Sequence, residues 1–134
     1  LELTANATVM RARIAEFTDE TTASTYRDVR PLLTPAVLAN LAVVWRPRVG
    51  EWTLAARHVG RSQLANDGND ALVTPAYRVV DLGVALPIGR HALRVQVQNV
   101  TDARAYSSGY TDGTSRYFFP LATRTVLATA VLRF

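Results

Sequence analysis

Cysteine is absent from the 134 residues, which excludes a disulfide scaffold and any thiolate metal site. Lysine is absent as well, and all 15 basic residues are arginine. The net charge of +4 invites a nucleic-acid partner. The arginines, however, are scattered singly, often at strand ends, rather than gathered on one face among aromatics, so no nucleic acid is expected. No run approaches the roughly 18 apolar residues of a membrane helix, which excludes helical spanning and leaves spanning by strands open. Histidine is limited to His58 and His91, neither near a second ligand in sequence, so no metal is expected. Ser107 and Ser108 lack a nucleophile-elbow pattern, and glycines occur singly, without a phosphate-cradling loop. No catalytic residue, enzyme activity or cofactor is predicted.

What the chain does have is alternation. In the terminal stretch Ala122 to Phe134, the residues Val126, Ala128, Ala130, Leu132 and Phe134 share one face. Thr125, Leu127, Thr129, Val131 and Arg133 share the other. Such a pattern marks a strand whose two faces meet different surroundings. A wholly apolar face closing on an outward Phe points to lipid rather than to a protein core.

Taken in order, segment one, Glu2 to about Phe17, alternates until Arg11 and Arg13, which share parity with the apolar set. Either the strand has left the apolar zone by then, or a bulge shifts the register. Thr18 to Thr34 reads as a long polar loop. Segment two is Val37 to Trp45, and Arg46 to Glu51 forms a tight connection. Segment three starts at Trp52, and Asn66 to Pro75 reads as a second long loop. Segment four, Tyr77 to Leu86, carries Asp81 in mid-strand, which suits a watery lumen better than a dry core. After the short turn Pro87 to His91, segment five sets Leu93, Val95 and Val97 against Arg94, Gln96 and Gln98. Gly109 to Pro120 is the third long loop.

Connections therefore alternate long, short, long, short, long, as in outer-membrane barrels with tight turns at one end. Trp45, Trp52 and Phe134 fall at the short-turn level, with Tyr77, Tyr106 and Phe17 at the other, as in the girdles bracketing an apolar band about 25 Å tall. The predicted fold is all-β: an antiparallel up-and-down meander of six strands, the terminal part of a transmembrane β-barrel, incomplete on its own. The chain opens LELTANATVM, with no signal-peptide pattern and already inside a strand pattern, so a piece of something longer is expected. A soluble β-sandwich or small-barrel binding module is the alternative, since it too shows alternating strands between regular turns.

Several strings then follow one another in order: Trp45-Arg46-Pro47, Arg57-His58-Val59-Gly60-Arg61, and PAYRVVDLG from Pro75 to Gly83. After them come Asn99-Val100-Thr101-Asp102-Ala103-Arg104-Ala105-Tyr106 and Pro120-Leu121-Ala122-Thr123-Arg124. The succession resembles the C-terminal end of the TonB-dependent outer-membrane receptors, where N-[LV]-x-D-x-x-Y closes one strand and P-x-x-x-R opens the last. It covers essentially the whole chain. His58 stands where that family commonly has Tyr, and Thr101 where it has Phe. Ala128 and Thr129 depart from its terminal assembly signal, which Leu132 and Phe134 match.

The resemblance implies a barrel of about 22 strands around an N-terminal plug, with residues 1–134 as its last strands and the plug and earlier strands absent. It implies outer-membrane lipid, the barrel assembly machinery and, through the missing N-terminal part, TonB as partners. Its implied function is energised uptake of a scarce ligand such as a metal–siderophore complex or cobalamin, in the outer membrane of a Gram-negative bacterium. Ligand-binding candidates are Tyr106, Tyr110, Arg116 and Tyr117 in the last loop, with Arg57, Arg61 and Arg78 near the upper wall. Trp45, Trp52, Tyr77 and Phe134 are the interface aromatics.

Val97→Arg, on the lipid side, is expected to cost about 2–4 kcal/mol of folding stability, while Gln96→Arg on the lumen side is nearly silent. Unfolding of the two variants of the full-length protein in bilayers separates the readings, because equal effects favour the sandwich.

Overall fold

The computed structural model describes residues 1–134, and every regular element in it is a strand. Six strands form the main sheet: β1 (Glu2–Val9), β4 (Val37–Trp45), β5 (Glu51–Val59), β8 (Tyr77–Ile88), β9 (His91–Gln98) and β12 (Thr125–Val131). The other six pair as hairpins within the long connections: β2 (Ile14–Asp19) with β3 (Ser24–Val29), β6 (Ser62–Gln63) with β7 (Val73–Thr74), and β10 (Tyr106–Thr111) with β11 (Arg116–Pro120). The main sheet runs β1-β4-β5-β8-β9-β12, each pair antiparallel. The expected six-strand meander is present, and its two outer strands each have a single neighbour, so the sheet is open.

Register turns the alternation into two continuous surfaces. One row crosses all six strands as Leu3, Val43, Leu54, Leu82, Val97 and Val126. The next row towards the short turns is Trp45, Trp52, Val84, Val95 and Ala128. On the reverse face Asn6, Asn40 and Arg57 stand opposite one another, and Gly83 faces Gln96. Nothing covers the apolar side: Leu3 is 66% exposed, Leu82 42% and Val126 65%. A sandwich needs a second sheet about 10 Å above that face to make a core. None is there, and the sandwich reading fails.

Only nine residues are buried, and no large side chain is fully enclosed. The buried apolar ones, Val29, Leu64, Leu72, Val79 and Ala105, gather at the end of the long connections rather than over the sheet. Main-chain bonds lace this end together: Leu33 N donates to Gln63 O at 2.8 Å, and Leu64 N to Leu72 O at 2.9 Å. Gly109 is required there, since a Cβ would lie 2.6 Å from Tyr117 O and 3.1 Å from Leu64.

Several predicted boundaries are corrected. Segment one is two strands, because β1 stops at Val9 and Ile14 onward pairs with β3 instead. Arg11 and Arg13 thus lie past the apolar band. Thr18–Thr34 and Gly109–Pro120 hold hairpins, not irregular loops. Their strands are mostly exposed, with only Val29 and Gly109 buried in them, so no apolar alternation advertises them. β8 runs on to Ile88, leaving the two-residue turn Gly89–Arg90, with Gly89 at φ 60°. The last ladder pair is Val131 with Ala92, so Leu132 to Phe134 lie beyond the strand; the partner has already reached its turn, and Arg133 N meets His91 Nδ1 at 3.3 Å.

The two late sequence strings prove to hold each other. Asn99, 5% exposed and at φ 50°, donates from Nδ2 to Ala103 O (2.9 Å) and Ala122 O (3.1 Å) and accepts from Ala103 N at 2.9 Å. Asp102 Oδ1 accepts from Arg124 N at 2.8 Å, which ties the Asn99–Tyr106 string to the Pro120–Arg124 string. Mid-strand Asp81 is held in the same knot, accepting from Asn99 N at 2.8 Å. Removing the Asn99 amide takes the partner from three part-buried main-chain groups, Ala103 N, Ala103 O and Ala122 O. Asn99→Ala is expected to destabilise the full-length protein by about 2–4 kcal/mol in denaturant titration, and Thr101→Ala, an exposed neighbour, to change little.

Candidate ligand-binding surface

The aromatic candidates meet on hairpin β10–β11. Its tip, Thr111 to Ser115, closes through Asp112, whose Oδ1 accepts from Thr114 N (2.9 Å) and Ser115 N (2.7 Å), with Gly113 at φ 94°. Tyr110 and Tyr117 are direct cross-strand partners, and their rings stack with centroids 4.8 Å apart and planes 14° apart. Phe119 joins Tyr110 at 6.1 Å, and Tyr106 stacks on Phe118 at 4.5 Å. Such contacts fix ring orientation while leaving an open face: Tyr110 is 53% exposed. Tyr117 Oη donates to Asp112 Oδ2 at 3.0 Å.

These bonds set the ionisation of the hairpin. The main-chain donors of Ser115 and Thr114, with the Tyr117 hydroxyl, hold the Asp112 carboxyl below its ordinary value. The hydrogen bond to Asp112 and that carboxylate's charge push the Tyr117 phenol up. At working pH the pair is therefore a carboxylate and a neutral phenol.

The arginine candidates divide. Arg116 Nη1 donates to Ala71 O at 3.3 Å, fastening hairpin β10–β11 to the β6–β7 connection. Arg61 lies 3.4 Å from Asp70 in that same connection. Arg57 projects from the polar face beside Asn40, where Thr4, Asn6 and Asp81 share a cavity of about 220 Å³ with it. Arg78 does not join them: it pairs with His58 and shares the apolar face with Val80 and Leu82. Tyr110 and Tyr117 thus share one face of the hairpin, whereas Arg116 and Tyr106, the latter stacked on Phe118, take the opposite face, which turns to the β6–β7 connection that Arg61 also joins, and Arg57 stands apart on the sheet.

The interface aromatics also divide. Trp45 and Trp52 are cross-strand partners on the apolar face, centroids 6.5 Å apart. Phe134 is fully exposed past the end of β12, at the same short-turn end as the tryptophans. Tyr77 is a correction: it has the parity of Val79 and Asp81 and stands on the polar face. Phe17 and Tyr106 belong to hairpins outside the main sheet, Phe17 stacking on Tyr26 at 6.5 Å. No three His, Asp or Glu side chains come close enough to share a metal ion. Sequence reasoning did not single out Arg13, Arg27 and Arg30 as a group, which the β2–β3 fold brings together; the misplaced parity of Arg13 was the available signal.

No protein-family model matches the chain, and no curated protein matches it. Solved structures do. The fold is similar to the siderophore receptor PiuA from Acinetobacter baumannii (TM-score 0.79, 14% identity), over 96% of this chain and 19% of that one. It is similar to the ferric-catecholate import receptor Fiu from E. coli K12 (0.74, 20%), over 97% and 18%. It is also similar to the ferric yersiniabactin uptake receptor FyuA from Yersinia pestis (0.67, 24%), over 98% and 21%. The chain spans about a fifth of the length of each. The fold is that of part of a β-barrel, as the sequence pattern led one to expect.

Because the folded-state pKa of Asp112 lies below 3.8, the turn's stabilisation is complete above that pH and is lost as pH falls through the folded value. Hydrogen exchange over residues 106–120 is expected to accelerate at that acid step in the parent relative to Asp112→Asn, in which no such step occurs.

Proposed function

We propose that residues 1–134 are the C-terminal strands of a TonB-dependent outer-membrane receptor that takes up a metal–siderophore complex in a Gram-negative bacterium. The uncovered apolar face backed by a polar one, in a sheet that superimposes on three siderophore receptors, carries the reading. Among scarce ligands a ferric chelate is favoured over cobalamin, because the similar structures are receptors for ferric chelates. Their being receptors likewise favours transport over catalysis.

In this reading, earlier strands of the same barrel close on β1 and β12, and lipid bathes the face of Leu82 and Val126. Trp45, Trp52 and Phe134 sit at the periplasmic interface, and Leu132 with Phe134 is read by the barrel assembly machinery. The plug and the TonB contact belong to the N-terminal part of the parent. Hairpin β10–β11 then faces the outside, offering Tyr110 and Tyr117 for stacking on an aromatic or planar chelate.

The test is uptake of iron-labelled siderophores by a receptor-deficient host carrying the full-length gene. Accumulation that disappears in a TonB-deficient host is expected, with Tyr110→Ala raising the Kd of the transported chelate about three- to tenfold. Accumulation indifferent to TonB, or none across catecholate, hydroxamate and carboxylate chelates, overturns the proposal.

A further inference from the structure

The apolar face of the main sheet is not level. Along the row Trp45, Trp52, Val84, Val95 and Ala128 the side chains fall in size from two indoles to a methyl group. The next row towards the long connections holds Leu54, Leu82 and Val97. Between the two rows lies an open groove of about 350 Å³, walled by Trp45, Trp52, Leu54, Leu82, Val95 and Val97. Its volume falls within the range of small-molecule sites, and its walls offer almost nothing to a polar group. Hydrocarbon suits it. The exception is at its lower edge, where the half-exposed tryptophans bring indole N–H donors.

A second observation concerns charge at the adjoining end of the sheet. The short connections and the last residues carry Arg46, Arg48, Arg90 and Arg133. The carboxylate side chains there are Glu2 and Glu51, and both bind Arg46, at 3.0 and 2.7 Å. Register puts the two glutamates on the polar face, cross-strand from Val44 and Ala85. Arg48, Arg90 and Arg133 take part in none of the ion pairs of the chain. A Cβ at Gly50 would lie 2.8 Å from Leu86 Cδ2, so the Arg46–Gly50 connection presses on the row just below the groove. Arg48, exposed, belongs to that connection.

We propose that this groove seats one acyl chain of an anionic glycerophospholipid whose phosphate is bound by Arg48. Such a lipid joins in one molecule what the surface offers separately. Its chain fills the groove, its ester carbonyls accept from the indole N–H groups, and its phosphate, further down, takes a guanidinium fork. Arg90 and Arg133 add positive potential at the same end, which favours a headgroup of net negative charge over a zwitterionic one. The inference rests on the receptor reading for the membrane that supplies the lipid. It uses no residue of the aromatic hairpin.

The test places the full-length protein in phosphatidylcholine bilayers and adds lipids brominated on the acyl chain, which quench tryptophan fluorescence on contact. The signal of Trp45 and Trp52 is the difference between the parent and its Trp45→Phe/Trp52→Phe variant. Brominated phosphatidylglycerol is expected to reach half-quenching at about fivefold lower mole fraction than brominated phosphatidylcholine, the scale of one arginine at a membrane surface. Arg48→Gln abolishes that preference, whereas Arg104→Gln, which removes the same charge at the long-connection end, keeps it. Val84→Phe, which fills the groove with a larger apolar side chain, abolishes it too. Equal quenching by the two lipids, equal losses in the two arginine variants, or a preference that survives Val84→Phe overturns the inference and leaves the receptor reading standing. No quenching by either lipid puts the tryptophans outside the bilayer and overturns both. A preserved preference without TonB-dependent uptake defeats the receptor reading alone.

Discussion

Hydrocarbon offers a peptide group nothing to hydrogen-bond with, so a chain that crosses it must pair its backbone laterally before its side chains can be left bare. On the proposed receptor reading, that constraint explains the main sheet. Of 62 backbone hydrogen bonds, 54 lie within strands, and the apolar row from Leu3 to Val126 has no protein above it. In water such a surface would have no reason to persist uncovered. The reverse face, with Asn6, Arg57, Asp81 and Gln96, is equally unsuited to a dry core. The proposed reading, with a different solvent on each side, reconciles both.

The protein-like core is small and sits elsewhere, among the hairpins at the long-connection end. Polar side chains organise it as much as apolar ones do. Asn99 bonds the chain at Ala103 and Ala122, Asp81 holds Asn99 in place, and Asp102 takes the amide of Arg124. The connection leaving β9 and the entry to β12 are thereby one unit. A positive φ at Asn99 and at Asp102 fits this role, since these residue types tolerate that conformation best after glycine. The rigid base leaves hairpin β10–β11 to present its stacked aromatics outward on a turn closed by Asp112.

Strand existence was legible wherever the two faces differ. Val37–Trp45 came through with its bounds intact, and β5, β8 and β9 within a few residues. The hairpins were not legible, because β2–β3 and β10–β11 bury only Val29 and Gly109 and so lack an apolar period of two. The site was legible in part. Tyr106, Tyr110, Arg116 and Tyr117 are close in sequence and share one hairpin, whereas Arg13, Arg27, Arg30 and Arg61 meet through connections that parity does not describe. Arg78 and Tyr77 were misassigned for one reason: level along a strand was weighed and face was not.

Alternation and turn chemistry, local properties both, determined that this chain makes an antiparallel meander with an apolar side and a polar side. Period two needs only neighbouring residues to be read. Tertiary structure alone decided that the two late strings clasp each other and that four arginines share one wall. It also decided that the apolar side stays uncovered. Each of these depends on segments far apart in sequence meeting at a particular register, which hydrogen-bonded pairing fixes and no local pattern records.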